Sequence, residues 1–124
     1  MALQNKELAA FSLPGGETSC PSRQRPVDLV HLMRQTMGDR ALETEILSMF
    51  SRQAAALAEK LGEAKGKDRV ILAHTLKGSA RSVGAFEVSR HAEKLESDPG
   101  NASAMKALIG ALRDVQEFIA AISR

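Results

Sequence analysis

From residue 27 onward, apolar side chains recur every three or four positions, the period of helices that bury one face. A short first helix starts at Asp28, an N-cap or first-turn acid, turns Leu29, Leu32 and Met33 inward, and closes at Gly38. A long second helix follows from about Asp39 to Ala64. Its stripe is Leu42, Ile46, Met49, Phe50, Leu57 and Leu61, with Gln53 interrupting it at the edge. Lys65-Gly66-Lys67-Asp68 breaks that helix, and a third runs from about Asp68 to Val83, ended by Gly84. A fourth covers about Phe86 to Ser97, with Val88, Ala92 and Leu95 inward. Asp98-Pro99-Gly100-Asn101 is a strong turn. The fifth helix, about Ala102 to Ile122, carries Met105, Leu108, Ile109, Leu112, Val115, Ile119 and Ile122 on one side. No stretch alternates with the period of a strand. Long helices with short connections pack as antiparallel neighbours. The fold class expected is all-α: an antiparallel up-down four-helix bundle with the short N-terminal helix as a lid.

Residues 1–26 break this pattern. Leu3, Leu8, Phe11 and Leu13 fit a short helix or a frayed tail equally well. Pro14, Gly15, Gly16, Pro21 and Pro26 make 14–26 a linker. The expected organisation is a flexible tail over 1–26 and one bundle domain over 27–124.

The third helix differs from the others. Leu72, Leu76, Ser79, Ala80 and Val83 fall on one stripe, and His74 lies about 160° from its centre at about 100° per residue. Val70, Lys77, Gly78 and Arg81 share the histidine's side. A mid-helix glycine costs roughly 1 kcal/mol relative to alanine. The compensation that fits Gly78 is room for another molecule to approach His74.

Composition narrows the class. Of 124 residues 44% are hydrophobic and only 3% aromatic, with no Trp or Tyr, so the core must be aliphatic, as in a helical bundle. The 17 basic and 15 acidic residues leave a net charge of +2, too balanced to suggest nucleic acid as a partner. The single cysteine, Cys20, excludes an internal disulfide and a multi-cysteine metal site. Three scattered histidines make no metal site either, and His31 and His91 read as surface ion pairs with Asp28 and Glu87. No apolar run reaches the roughly 20 residues that span a bilayer, and the N-terminus lacks a signal-peptide pattern. The expectation is a cytoplasmic, reduced protein.

An imidazole with an ordinary pKa near 6.5 is a competent nucleophile at neutral pH, and the partner of one ring nitrogen decides which nitrogen attacks. Glu93 and Glu96 on the fourth helix are the candidate partners. Glu93 points well away from that helix's inward stripe, whereas Glu96 sits on its border and can reach the next helix. Glu96 holding Nδ1–H would leave Nε2 exposed, with Lys77 one turn away to pair with a phosphoryl group and Arg81 adding positive potential.

His74-Thr75-Leu76-Lys77-Gly78-Ser79-Ala80, then Val83-Gly84-Ala85, then Glu93-Lys94-Leu95-Glu96, closely resembles the histidine-containing phosphotransfer (HPt) domain of two-component phosphorelays. The resemblance covers about residues 28–122 and is most specific from His74 to Glu96. It implies a helical bundle whose histidine takes a phosphoryl group from a receiver-domain aspartate and passes it to another. By that resemblance His74 is the phospho-acceptor, Lys77 the phosphate-stabilising lysine, Gly78 the opening for the receiver, and Glu96 the residue that orients the imidazole. Arg81 departs from the small residue common at its place. The implied partners are receiver domains of a hybrid histidine kinase and of response regulators, with Mg²⁺ supplied by the receiver and no cofactor on this chain. Exposed apolar residues near His74, Val70 and Ile71, would then form a docking patch, with Arg81 influencing which receiver docks. The expected protein is a monomeric phosphocarrier, not an enzyme, because it shows no P-loop or glycine-rich nucleotide motif.

Two other readings compete. The phospho-acceptor region of a sensor kinase usually has an acid directly after the histidine and a proline soon after. Thr75 stands there instead, and no proline occurs before Pro99. A non-catalytic helical adaptor that binds a signalling partner is the alternative from a different class.

Overall fold

A computed structural model describes residues 25–123 of the chain. Of the expected tail over 1–26, residues 1–24, with the weak apolar pattern, therefore lie outside the described residues. Five helices follow in order: α1 Leu29–Thr36, α2 Arg40–Glu63, α3 Gly66–Val83, α4 Phe86–Ser97 and α5 Ala102–Ile122. Among the described residues there is no strand.

The helix starts are written in short polar side chains. Asp28 caps α1 through the backbone N–H groups of Val30 and His31, Asp39 caps α2 at Leu42, and Asn101 caps α5 at Ala104. α3 starts at Gly66, earlier than the periodicity places it, with Lys65 extended before it and Asp68 in its first turn. The stop of α1 also differs from expectation. Met37, not Gly38, is the first residue past the helix and adopts the left-handed conformation at φ 55°, with its N–H returned to Arg34. α3 ends as expected, on Gly84 at φ 91°.

α2, α3, α4 and α5 each pack on the next, and α5 closes the ring against α2. Their short connections turn the chain back on itself each time. Leu61, Leu76, Val88, Ala92, Leu95 and Leu108 fill the centre with no exposed area. Leucine and alanine dominate the buried set, so an almost aromatic-free interior still closes.

The core departs from the apolar stripes at several positions. In α2 the buried line is Leu47, Phe50, Ala54, Leu57 and Leu61. Leu42 and Met49 are 44% and 54% exposed, because the packing line of α2 runs to one side of its apolar stripe. In α3 the buried residues are Ala73, Leu76, Ala80 and Val83, with Ser79 only half-buried. Met33 of α1 and Ile122 of α5 also face solvent.

α1 packs against α2 and α3. The Asp28 N–H donates to the Gly84 carbonyl at 2.9 Å, so the chain enters the bundle pinned to the end of α3. His31 is part of the same contact. Its Nε2 lies 3.2 Å from the Ser82 carbonyl and its ring meets Phe86 edge-on, with ring centroids 5.2 Å apart. The expected ion pair with Asp28 is thus replaced by a backbone acceptor and an aromatic face.

Candidate functional site

α3 presents His74 to solvent because the four residues it buries, Ala73, Leu76, Ala80 and Val83, occupy the opposite arc. The His74 side chain is 67% exposed. α4 packs along one flank of α3 and ends one residue beyond Glu96, which brings that carboxylate level with the histidine.

His74 Nδ1–H donates to Glu96 Oε2 at 2.7 Å. A carboxylate only accepts, so this contact places the ring proton on Nδ1 and leaves the Nε2 lone pair outward. Among the described residues no group bonds Nε2. The second oxygen of Glu96 is also occupied: Lys77 Nζ sits 2.8 Å from Oε1. Lys77 folds its stem along the helix surface to get there, leaving its side chain mostly buried. The hydrogen bond from Lys77, and then that from His74, holds the Glu96 carboxyl below the ordinary carboxylate range. Glu96 therefore stays an anion throughout the neutral range. Glu93 takes no part; its carbonyl accepts from Ser97 one turn on.

Gly78 is exposed, and a methyl group built on it would meet nothing within 4 Å. The glycine is thus not demanded by helix packing. It leaves bare backbone one turn from His74, on the flank away from Glu96. Ile71, one turn before His74, is 59% exposed, while Val70 is half-buried, less open than the sequence pattern places it. Arg81 is exposed two turns on and makes no ion pair among the described residues. Among the described residues there is no group of three or more metal-ligating side chains, and no helix is long and apolar enough to cross a membrane.

One feature of the site has no sequence signal beyond its spacing. Lys77 is joined to the same carboxylate as His74, forming a three-residue chain in which Glu96 is the middle member. The residue types make this chain possible; the rotamer of Lys77 decides it.

The described residues thus form a helical bundle in which an outward histidine is bonded to an acid from the next helix. The family model of the Hpt domain matches residues 45–123, well over half of the chain, and the chain belongs to that family. Membership supports a phosphotransfer role in two-component signalling, in which Hpt domains are phosphocarriers and receiver domains their partners. Neither the curated proteins nor the solved structures contain a match to this chain.

Proposed function

We propose that His74 is the phospho-acceptor of a phosphorelay. It takes the phosphoryl group from an aspartyl phosphate on the receiver of a hybrid histidine kinase and gives it to the receiver of a response regulator, reversibly. The observation that carries this reading is the 2.7 Å contact between His74 Nδ1 and Glu96 on an otherwise exposed ring.

In the forward step the Nε2 lone pair forms an N–P bond as the P–O bond to the aspartate breaks, and the aspartate leaves as a carboxylate. Nδ1 keeps its proton, so the phosphorylated ring is formally cationic. Glu96, held as an anion, offsets that charge and fixes the ring's direction. Lys77 is the nearest cation to the incoming group and can move from Glu96 Oε1 toward the phosphoryl oxygens. Phosphoryl transfer needs mainly positioning and charge stabilisation, and these residues supply both. Gly78 lets the receiver backbone approach, and Val70, Ile71 and Arg81 border the contact. Mg²⁺ belongs to the receiver in this reading, and the carrier works as a cytoplasmic monomer without a cofactor of its own.

The test is phosphoryl transfer from Mg²⁺-loaded, phosphorylated receivers to the purified protein. The wild type becomes acid-labile labelled, and His74→Gln stays folded and unlabelled. Labelling that survives in His74→Gln sinks the assignment. Tight receiver binding with no labelling of the wild type favours the non-catalytic adaptor instead.

A further inference from the structure

The apolar stripe of α2 is wider than the core it serves. Leu42 and Met49 remain exposed and Ile46 is only partly buried. Ile46, Met49, Phe50 and Val83 wall a groove of about 410 Å³ between α2 and α3. The remaining lining residues are polar: Gln53 from α2 and Ser79 and Ser82 from α3. Among the described residues, none of these three side chains makes a hydrogen bond.

The groove is continuous with the histidine face. On α3, Gly78 and Ser82 lie between His74 and Ser79 around the helix at about 100° per residue. A partner that reaches His74 over the bare backbone of Gly78 therefore extends onto this groove. An apolar trough between two helices accepts the apolar face of a third helix. Its polar members then matter more than its walls. Ile46 and Met49 reward any apolar side chain roughly alike. Gln53 is half-buried already, and covering it without a partner leaves an amide unpaired.

We infer that Gln53, with Ser79 and Ser82, selects which receiver this carrier accepts, by requiring a hydrogen-bonding side chain within the apolar face of the helix that seats in the α2–α3 groove. This rests on the phosphotransfer reading of His74. It adds to that reading a positioning residue outside the phosphorylation chemistry. A receiver that places an apolar residue opposite Gln53 strands the amide and is rejected; one that places a hydroxyl or amide there is retained. Discrimination comes from the unpaired group, as specificity often does.

The experiment uses the full chain and a panel of phosphorylated receivers from one organism, with transfer rate measured against receiver concentration. Gln53→Leu and Gln53→Met fill the same space with an apolar side chain, and thermal unfolding checks that both remain folded. The expected result is a change in rank. Half-saturating concentrations rise about tenfold for the receivers the wild type prefers and fall for some it rejects, while saturated rates hold. Ser79→Ala with Ser82→Ala shifts the same receivers in the same direction. Unchanged half-saturation across the panel, or an equal change for every receiver, overturns the inference while wild-type labelling leaves the His74 assignment standing. A wild type that no receiver labels overturns both.

Discussion

Glu96 spends one oxygen on His74 and the other on Lys77, so it governs the direction of the ring and the resting place of the nearest cation together. Two substitutions separate these duties. Glu96→Gln keeps an acceptor for Nδ1–H and removes the charge that Lys77 uses. Glu96→Ala removes both. We predict a mild loss of transfer in the first and a fall of about ten- to a hundredfold in the second, the usual effect of losing an orienting partner. Nitrogen NMR of the His74 ring checks the cause: Nδ1–H dominates in the wild type and in Glu96→Gln, and the Nε2–H form grows in Glu96→Ala. Gly78 gives a prediction of opposite signs. Open space around the built methyl means that Gly78→Ala stabilises the helix by about 1 kcal/mol. Gly78→Leu also folds, but transfer slows by about tenfold or more because the receiver is held off the ring. Chemical denaturation and transfer kinetics on both variants read the two effects apart. The placement of His74 and Glu96 was legible in the sequence, since an exposed position on one helix and a border position on the next are both set by the helical period. The tie of Lys77 to Glu96 was not, because a lysine stem reaches several acceptors and periodicity does not choose among them.

Helix limits were legible wherever a cap or a breaker marks them. Asp28, Asp39, Asn101 and Gly84 all stand at the ends the sequence implies. The inward face of α2 was less so. An apolar stripe tells which side of a helix avoids water in general, and two kinds of neighbour satisfy it. The core takes Leu47 and Ala54; the groove beside α3 keeps Met49. Only the placement of α3 and α5 around α2 settles the division. The same holds for α1, whose seat depends on a close approach at Gly84. A methyl there would stand 2.8 Å from the Asp28 carbonyl oxygen, and the backbone is already at φ 91°. Gly84→Ala is therefore expected to destabilise the protein by about 1–3 kcal/mol, loosening α1 from α3. Met37 sits in the left-handed region with 95% of its surface exposed, so Met37→Gly is expected to stabilise by about 1 kcal/mol. Urea midpoints for the two variants should move in opposite directions.

At the scale of the whole molecule, His91 ties part of the stability of the bundle to pH. His91 lies on α4 beside α5, with Nδ1 buried and without a hydrogen-bond partner among the described residues. Its Nε2 is 3.6 Å from Glu87 Oε1, but Glu87 is already bound to Arg90 at 2.7 Å. Lys94 on the same helix adds positive potential, while Arg25 and Asp114 line the cleft beside the ring. Burial, then the Arg90 charge, pushes the His91 pKa below its ordinary 6.5, and Glu87 only partly opposes them. The folded protein therefore binds a proton at His91 less readily than the unfolded chain does. Stability from this source is complete above the ordinary value and drains away as pH falls from there through the lowered, folded-state value. A second loss, from Glu87 and Glu96, follows only at lower pH, because their depressed values place it below the ordinary 4.5 of a carboxyl. The measurement is urea unfolding at about pH 7.5 and about pH 5.5, on either side of the ordinary histidine value. Wild type should lose stability between the two, and His91→Gln, which cannot charge, should lose less. An equal loss in both proteins would show that the bundle's response to acid in this range comes from groups other than His91.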